Sequence, residues 1–319
     1  MISANDSTRE APLVTIGIAC FNAETTIGSA IASAQVQEWP ALEIIVVDDT
    51  SLDNSRTVIQ EYAENDDRIR VIHHDRNRGY AGVLNTIVRE ARGQFIAVFD
   101  DDDVSAPCRI RKQWSRLTEY ERTASAGFVL CYSNRDVIML SGERGAPVLA
   151  IGRVRREPYG PMVADFLLWH HESPGFTWGQ FGSCTLLARR ETLLGLGGFD
   201  EDFRRGAEWD LAIRHGLRGG HFVAVNEALV IQRKTSTPDK AGRTDLEYAL
   251  KLRRKYQPYL KAKHVTLASG ALAHARFYYA RRLLHRSRLY LALACLCSPF
   301  AVLPNELRKW GRRRRSGSE

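Results

Sequence analysis

Four consecutive aspartates, Asp100 to Asp103, end the apolar run "FIAVF" and are followed by "VSAP". Neighbouring carboxylates raise the energy of ionising one another, so such a run is comfortable only when fully solvated or facing a cation. An oxygen-rich cluster suits a hard divalent ion, Mn2+ or Mg2+, and the chemistry that ion supplies is neutralisation of a leaving group's charge. A second acidic pair, Asp48 and Asp49, ends the apolar run "LEIIVV". Further on, "AEWD" offers Glu208 and Asp210, and a positioned carboxylate can take the proton of a hydroxyl nucleophile as a bond forms. Each cluster also has a plainer reading. Strand-end acids are often solvated turns or helix caps, Asp103 among them. Glu208 suits the first turn of a helix, where the dipole favours an acid, and Asp210 can pair with Arg214 one turn on.

The elements around these acids alternate regularly over the first hundred residues. "LVTIGIAC", from Leu13 to Cys20, is apolar and β-branched with little polar alternation, which predicts a strand buried on both faces. The stretch after it places Ile27, Ala30, Ile31 and Ala34 at helical spacing and closes at Pro40. "LEIIVVDD" is a second strand, "SLDNSRTVIQEYAEND" a helix, "RIRVIHH" a third strand, "GYAGVLNTIVREARG" a helix stopped at Gly93, and "QFIAVFDDDD" a fourth strand. This pitch is the mark of right-handed βαβ units in a mostly parallel sheet. Such sheets bind ligands beyond the carboxyl ends of their strands, and both aspartate clusters sit at those ends. The second part is less regular. "GFVLCYSNRDVIML" predicts a strand entering a hairpin, residues 141 to 174 a long excursion, and "HFVAVNEALVIQR" two short strands. Beyond about Asp245 the pattern is helical.

A nucleoside diphosphate ligand would use both clusters. Its base needs an acceptor for a ring N–H, its ribose needs hydroxyl partners, and its diphosphate needs a hard cation. An acid after the second strand meets the first requirement, and acids after the fourth meet the others.

Bulk composition narrows the alternatives. The chain has 319 residues, 44% hydrophobic and 26% charged, with a net charge of +8. That length supports one large domain, or one domain with an appendage. Much of the excess positive charge lies beyond Arg276, in "HARFYYARRLLHRSRLY" and "RKWGRRRRSGSE". Nucleic acid is not expected as a partner, because phosphate-tracking surfaces place Lys and Arg on the folded domain. Six scattered cysteines form no C-x-x-C pair and read as reduced packing residues. The polar N-terminus lacks a basic n-region followed by an apolar core, which makes a cytoplasmic location the expectation. "LYLALACLCSPFAVLP", Leu289 to Pro304, is too short and too interrupted to span a bilayer. Arginines on both sides suit it to peripheral contact with an anionic membrane, beside the plainer reading of a helical hairpin packed on the domain with a solvated tail.

"VTIGIACFNAETTIGSAIASAQVQEWPALEIIVVDDTSLDNS", then "NRGYAGVLNTIVREARGQFIAVFDDDD", and later "LLGLGGFDEDFRRGAEWDLAIRHG" together resemble the family 2 glycosyltransferases, from about Leu13 to Arg233. The resemblance implies a GT-A fold of the α/β class: a Rossmann-like, mostly parallel sheet flanked by helices, here with a C-terminal helical extension. It implies a catalytic domain over 1–235, with a nucleotide-sugar half at about 13–105 and an acceptor half at about 106–235, followed by a helical region with a basic tail at 236–319. It also implies a metal-dependent inverting transfer of a hexose-like sugar from a UDP- or dTDP-sugar to a hydroxyl of a glycan or lipid-linked glycan. By position, Asp48 and Asp49 would hold the base, Asp49 foremost. Cys20, Phe21, Asn22 and Glu24 would line the nucleotide pocket, and Asn77, Gly79 and Asn85 would lie beneath the donor.

The family's D-x-D-D pattern maps to Asp100 and Asp102, Asp102 as metal ligand and Asp100 as ribose or metal-water partner. Asp101 takes the variable slot, and Asp103 is either a cap or an acid supporting the metal ligands. Where the family has an arginine before the asparagine, this chain has Leu84, so one donor contact is either missing or supplied by Arg78. The base position of "E-D-aromatic-D" holds Glu208, one bond longer than aspartate, with Asp210 the second candidate. Trp169, His170, His171 and Trp178 are candidates for acceptor contacts. Arg233, Lys234 or Thr235 are candidates for the diphosphate, since the family's later histidine is missing. Processive members carry spanning helices and a Q-x-x-R-W motif, so a single addition is expected. Two rivals remain: a nucleotidyltransferase, disfavoured because "ACFNAETTI" lacks a Gly-rich basic loop, and a catalytically silent nucleotide-sugar-binding or scaffold protein.

Overall fold

The computed structural model describes residues 11–234 and 244–316, with side chains up to residue 308. The chain forms two compact units, each discontinuous in sequence. The first comprises Met1–Pro158, Thr177–Leu211 and Gly220–Thr235; the second comprises Tyr159–Phe176, Ala212–Gly219 and Ser236–Glu319.

The first unit is built on an eight-stranded sheet. Its strands are β1 (Val14–Cys20), β2 (Leu42–Asp48), β3 (Ile69–His73), β4 (Phe95–Asp100), β5 (Val104–Ser105), β6 (Val129–Ile138), β7 (Leu187–Arg189) and β8 (His221–Arg233). They lie in the order β3-β2-β1-β4-β7-β6-β8-β5. The first four are mutually parallel, as the alternation predicts, and β7 runs antiparallel between β4 and β6. Every residue of β1 and β2 is buried, which is why their sequences carry apolar side chains at consecutive positions. One face packs Ile16, Ile18 and Ile44 against α1 (Ile27–Gln35), α2 (Ser55–Glu64) and α4 (Arg109–Ala124) through Ile31, Ile59 and Leu117. Strand alternation turns Gly17 to the opposite face. There a Cβ would stand 2.2 Å from Ile87 of α3 (Gly79–Glu90).

Three local expectations change. Helix α3 ends at Glu90, so Gly93 is not its cap. Gly93 is glycine because a Cβ there would meet the Thr15 backbone nitrogen at 2.6 Å and the Leu13 carbonyl oxygen at 2.8 Å. The two strands expected in "HFVAVNEALVIQR" are one strand, whose pairing with β6 slips around Asn226 to Leu229. Asp103 caps no helix: residues 104–105 instead pair with Ile231 and Val230 of β8, and Asp103 accepts the Arg233 N–H at 3.1 Å.

The second unit is helical. Among its elements are α5 (Pro161–Trp169), α8 (Thr244–Lys255), α9 (Gln257–Ala262), α10 (Thr266–Ala280), α11 (Leu284–Cys297) and α12 (Pro299–Ser316). Buried polar bonds fix it. The Ser269 hydroxyl donates to the Leu168 carbonyl at 2.6 Å, Tyr259 to Asp165 at 2.6 Å, and the Asn305 amide to the His170 carbonyl at 2.8 Å.

Candidate active site at the strand ends

The parallel register aligns the ends of the strands. Cys20 lies opposite Asp48, Asp48 opposite His73, and Ala19 opposite Asp100. Both acidic clusters therefore share one rim. Asp48 is fully buried, and its carboxylate accepts from Arg56 at 2.7 Å and from the Ser51 N–H at 3.1 Å. Burial works to raise its pKa, but the bonds from Ser51 and Arg56 outweigh it and hold the acid below its ordinary range. Asp49 is 2% exposed. One of its oxygens meets the His74 ring at 2.7 Å and the Arg78 N–H at 2.8 Å; the other accepts the Gly79 N–H at 2.8 Å. Asn77 donates to the Asp49 carbonyl at 3.2 Å. Asp49 thus fastens the start of α3 to the end of β2, joining three residues that the family pattern places in the pocket.

The first loop is tied down in a similar way. Asn22 has φ +50° and accepts the Leu52 N–H at 2.8 Å through its side-chain oxygen. Glu24 accepts the Asn54 N–H at 2.9 Å. Cys20 is 1% exposed, and burial pushes its thiol far up, so it stays neutral. Phe21, by contrast, is 48% exposed and free to offer a ring face.

Each aspartate of the run has its own surroundings. Asp100 accepts a hydrogen bond from the Tyr80 hydroxyl at 2.6 Å, which also contacts the Ser183 hydroxyl at 3.0 Å. Asp101, in the slot expected to vary, accepts the Phe21 N–H at 2.9 Å and so fixes the turn against β1. Asp102 is half-buried. Asp103 is 4% exposed, and its second oxygen is buried with no hydrogen-bond partner. Ligand atoms of Asp100, Asp103 and Cys184 lie within 4.8 Å of one another.

Burial, and then the neighbouring carboxylates, push Asp103 above the carboxylate range. Burial also raises Asp100, with Asp102 adding to it. Asp101 is pushed up to about 7 by burial, with Asp102 and Asp100 adding to it. The Cys184 thiol is also driven up by burial and stays protonated, so the oxygens are the ligands that suit a hard cation. An orphaned carboxylate oxygen among raised acids is the environment a divalent ion would relieve, and the residues present fit one.

The sign of the pH effect follows. Unfolded aspartates ionise near 4, whereas in the folded chain Asp100 keeps its proton up to about pH 6, Asp101 up to about pH 7 and Asp103 up to about pH 8, so their contribution to stability falls as pH rises through that window. A divalent cation binds the ionised form and reverses the trend. Mn2+ is therefore expected to raise the melting temperature more at pH 8 than at pH 6 and to release protons at pH 7. A shift equal at both pH values, with no proton release, would remove the cluster as a cation site.

Positive charge is also built in. Arg109 is fully buried; its guanidinium donates to the Val98 carbonyl at 2.8 Å, Ser105 at 2.9 Å and Gln113 at 2.9 Å. It lies 4.3 Å from the Phe99 ring centroid, and its charge is felt by Asp100. Arg135, held by Gln232 at 3.0 Å, acts on Asp100 in the same direction. Glu208 stands in this field. Burial raises its pKa, the Asp100 charge adds to that, and Arg205 and Arg135 partly offset it. Glu208 is half-buried whereas Asp210 has no exposed surface. Of the two acids, Glu208 alone keeps exposed surface.

Asn85 faces the "GGFDE" segment. Its amide donates to the Phe199 carbonyl and to Glu201, each at 2.9 Å, and its oxygen accepts the Phe199 N–H at 2.7 Å. Arg78 pairs with Glu201 at 3.1 Å. Gly198 has φ +72°, and a Cβ there would come within 2.4 Å of the Asn85 oxygen, so the second glycine of "GGFDE" is set by that contact. Arg233 and Lys234 are exposed at the end of β8, while Thr235 lies outside the described residues. Trp169 is 7% exposed and stacks on His171 with ring centroids 4.6 Å apart; both belong to the second unit. The His170 ring accepts from Arg276 at 2.8 Å. Trp178 belongs to the first unit and is half-buried.

Sequence reasoning did not single out Tyr80, Ser183, Cys184, Arg109 or Arg135. Tyr80 follows Gly79 within "NRGYAGVLN" and Arg109 lies six residues after Asp103, but that their side chains turn to the cluster is not written in either stretch; Ser183, Cys184 and Arg135 come from elements distant in sequence.

The family model for glycosyl transferase family 2 matches residues 15–184. The succinoglycan biosynthesis protein ExoO of Rhizobium meliloti (strain 1021) is 40% identical over 131 residues, 41% of this chain and 35% of that protein. The Escherichia coli UDP-Glc:alpha-D-GlcNAc-diphosphoundecaprenol beta-1,3-glucosyltransferase WfgD is 32% identical over 126 residues, 40% of this chain and 49% of its own. These matches span between a third and a half of each relative's length. Among solved structures, S. aureus TarS 1-349 in complex with UDP-GlcNAc superposes with a TM-score of 0.62 at 14% identity, covering 89% of this chain and 81% of that one. The mannosyltransferase PcManGT from Pyrobaculum calidifontis, in complex with GDP-Man and Mn2+, gives 0.53 at 19% identity, covering 90% and 76%. At these identities the likeness establishes the fold, which is GT-A.

Proposed function

Because the chain belongs to glycosyl transferase family 2, we propose that it is a divalent-metal-dependent inverting glycosyltransferase. In this reading it moves one sugar from a nucleoside diphosphate donor to a hydroxyl of a glycan or lipid-linked glycan. The observation that carries the reading is the convergence of Asp100, Asp103 and the half-buried Glu208 in one field at the strand ends. A half-buried carboxylate of raised pKa is a stronger base than a solvated one and is suited to taking the acceptor proton.

In this mechanism Asp49 shapes the nucleotide pocket by fixing Asn77, Arg78 and Gly79, and Phe21 offers an exposed face beside it. Asp100 and Asp102, with Asp103 beside Asp100, would hold Mn2+ or Mg2+, which would supply charge neutralisation for the departing diphosphate. Tyr80 and Arg109 hold that cluster in place. Arg233 and Lys234 are the exposed cations for the diphosphate. Glu208 takes the proton of the incoming hydroxyl, and a single displacement inverts the anomeric centre. WfgD and TarS, whose names carry UDP-Glc and UDP-GlcNAc, favour a uridine donor. The compartment proposed is the cytoplasm, which suits six free cysteines.

A panel of nucleotide sugars with Mn2+, read by thermal shift, tests the donor half of this reading. At about 100-fold above its Kd a donor contributes about 2.7 kcal/mol, an upshift on the order of 5 °C for a chain of this size. One nucleotide class is expected to stand out and to require the metal. If no nucleotide sugar moves the transition, the donor assignment fails.

A further inference from the structure

Helices α11 and α12 have their polarity reversed. Their inward side is set by the buried Ala294, Val302 and Asn305, and by Tyr290 stacked on His274 at 4.7 Å between centroids. Leu289, Leu293 and Leu296 recur at three- or four-residue spacing on α11, and Phe300, Leu303 and Leu307 do so on α12, so each helix carries its own exposed apolar row. Leu296 is 80% exposed and Phe300 96%. Six large apolar side chains left exposed in two successive helices mark an interaction surface rather than ordinary scatter.

Charge identifies the occupant. Arg281, Arg282, Arg286 and Arg288 are exposed ahead of the first row, and Arg308 after the second. The sequence of α12 continues with Lys309 and Arg312 to Arg315, and Glu306 is the one acid within either helix. Among the described residues no helix is long and apolar enough to cross a membrane. Apolar rows bounded by arginines fit a surface that offers hydrocarbon beneath anionic phosphate.

We propose that the outward face of α11 and α12 docks on an anionic phospholipid bilayer. The leucines and Phe300 enter the headgroup boundary, and the arginines meet lipid phosphates. The surface lies within the second unit and is independent of the catalytic reading.

The test uses the full chain with vesicles of phosphatidylcholine, with and without about 30 mol% phosphatidylglycerol. Co-sedimentation is expected to be at least about tenfold tighter on the anionic vesicles. Leu296→Glu with Phe300→Glu should lose about tenfold or more, and Arg286→Glu with Arg288→Glu should abolish the preference for anionic lipid. Leu296→Ser with Phe300→Ser serves if the glutamates disturb folding, and an unchanged far-UV spectrum and melting point confirm the fold. Equal vesicle binding by native and Leu296/Phe300 variants overturns the proposal. So does a native dimer that these variants dissociate without loss of lipid binding, since the rows would then be covered by a second copy.

Discussion

Glu208→Gln is expected to lower the turnover of sugar transfer by about 10²- to 10⁴-fold, the range that positioned proton transfer commonly supplies, while the thermal shift produced by the donor with Mn2+ stays unchanged. The amide keeps the volume of the side chain but cannot accept the acceptor's proton. Glu208 is held high by burial and by the Asp100 charge, so the native rate should climb with pH as this acid ionises, and that limb should vanish in the variant. Glu208→Asp tests reach: the carboxylate is retained but withdrawn by one bond, so a loss of turnover with donor binding intact marks a positional requirement rather than a charge effect. Asp210→Asn provides the contrast. A residue without exposed surface should act on stability more than on the pH profile. If Glu208→Gln transfers sugar at the native rate, the base lies elsewhere.

The second large effect concerns Arg109. Arg109→Met keeps the length of the side chain but removes a buried cation and leaves the Val98 carbonyl, Ser105 and Gln113 without their donor. The three partners of Arg109 are neutral acceptors, and leaving a buried acceptor without its donor costs about 1–3 kcal/mol each. The loss should appear as a lower urea midpoint. Arg109→Lys should fall between, because an ammonium keeps the charge but not the fork that reaches three acceptors. Asp100 would lose one of the cations that lower its pKa, so Mn2+ should restore more stability to Arg109→Met than to the native protein. A destabilisation below about 1 kcal/mol would show that the network is solvated rather than buried.

Much of the first hundred residues was legible because the signals there are local. Strands buried on both faces read as continuous apolar runs, and β1 and β2 are buried along their whole length. What escaped depends on non-local approach. Gly93 looks like a helix stop, yet its reason is a backbone 78 residues away. The pairing of β5 with β8 places Asp103 against Arg233 across 130 residues, and no pattern in "VSAP" announces it. Asp49, Asn77 and Gly79 stand out by type and position, but that they bond to one another, and that Asn85 turns to Phe199 and Glu201, is a matter of geometry. Residue type placed Glu208 ahead of Asp210 without showing that the two differ in exposure, Glu208 half-buried and Asp210 fully buried.

Asn85 of helix α3 and Arg78, the residue just before that helix, grip Phe199 and Glu201 seven to nine residues before Glu208. The segment that leads to the proposed base is thereby registered against the helix that Asp49 anchors. Exchanging residues 106–235 with the matching part of a relative, in order to change the acceptor, would therefore carry a compatibility condition at positions 78 and 85. A chimera that ignores it should bind donor yet misplace its base, so the two halves are better treated as a matched pair than as interchangeable parts.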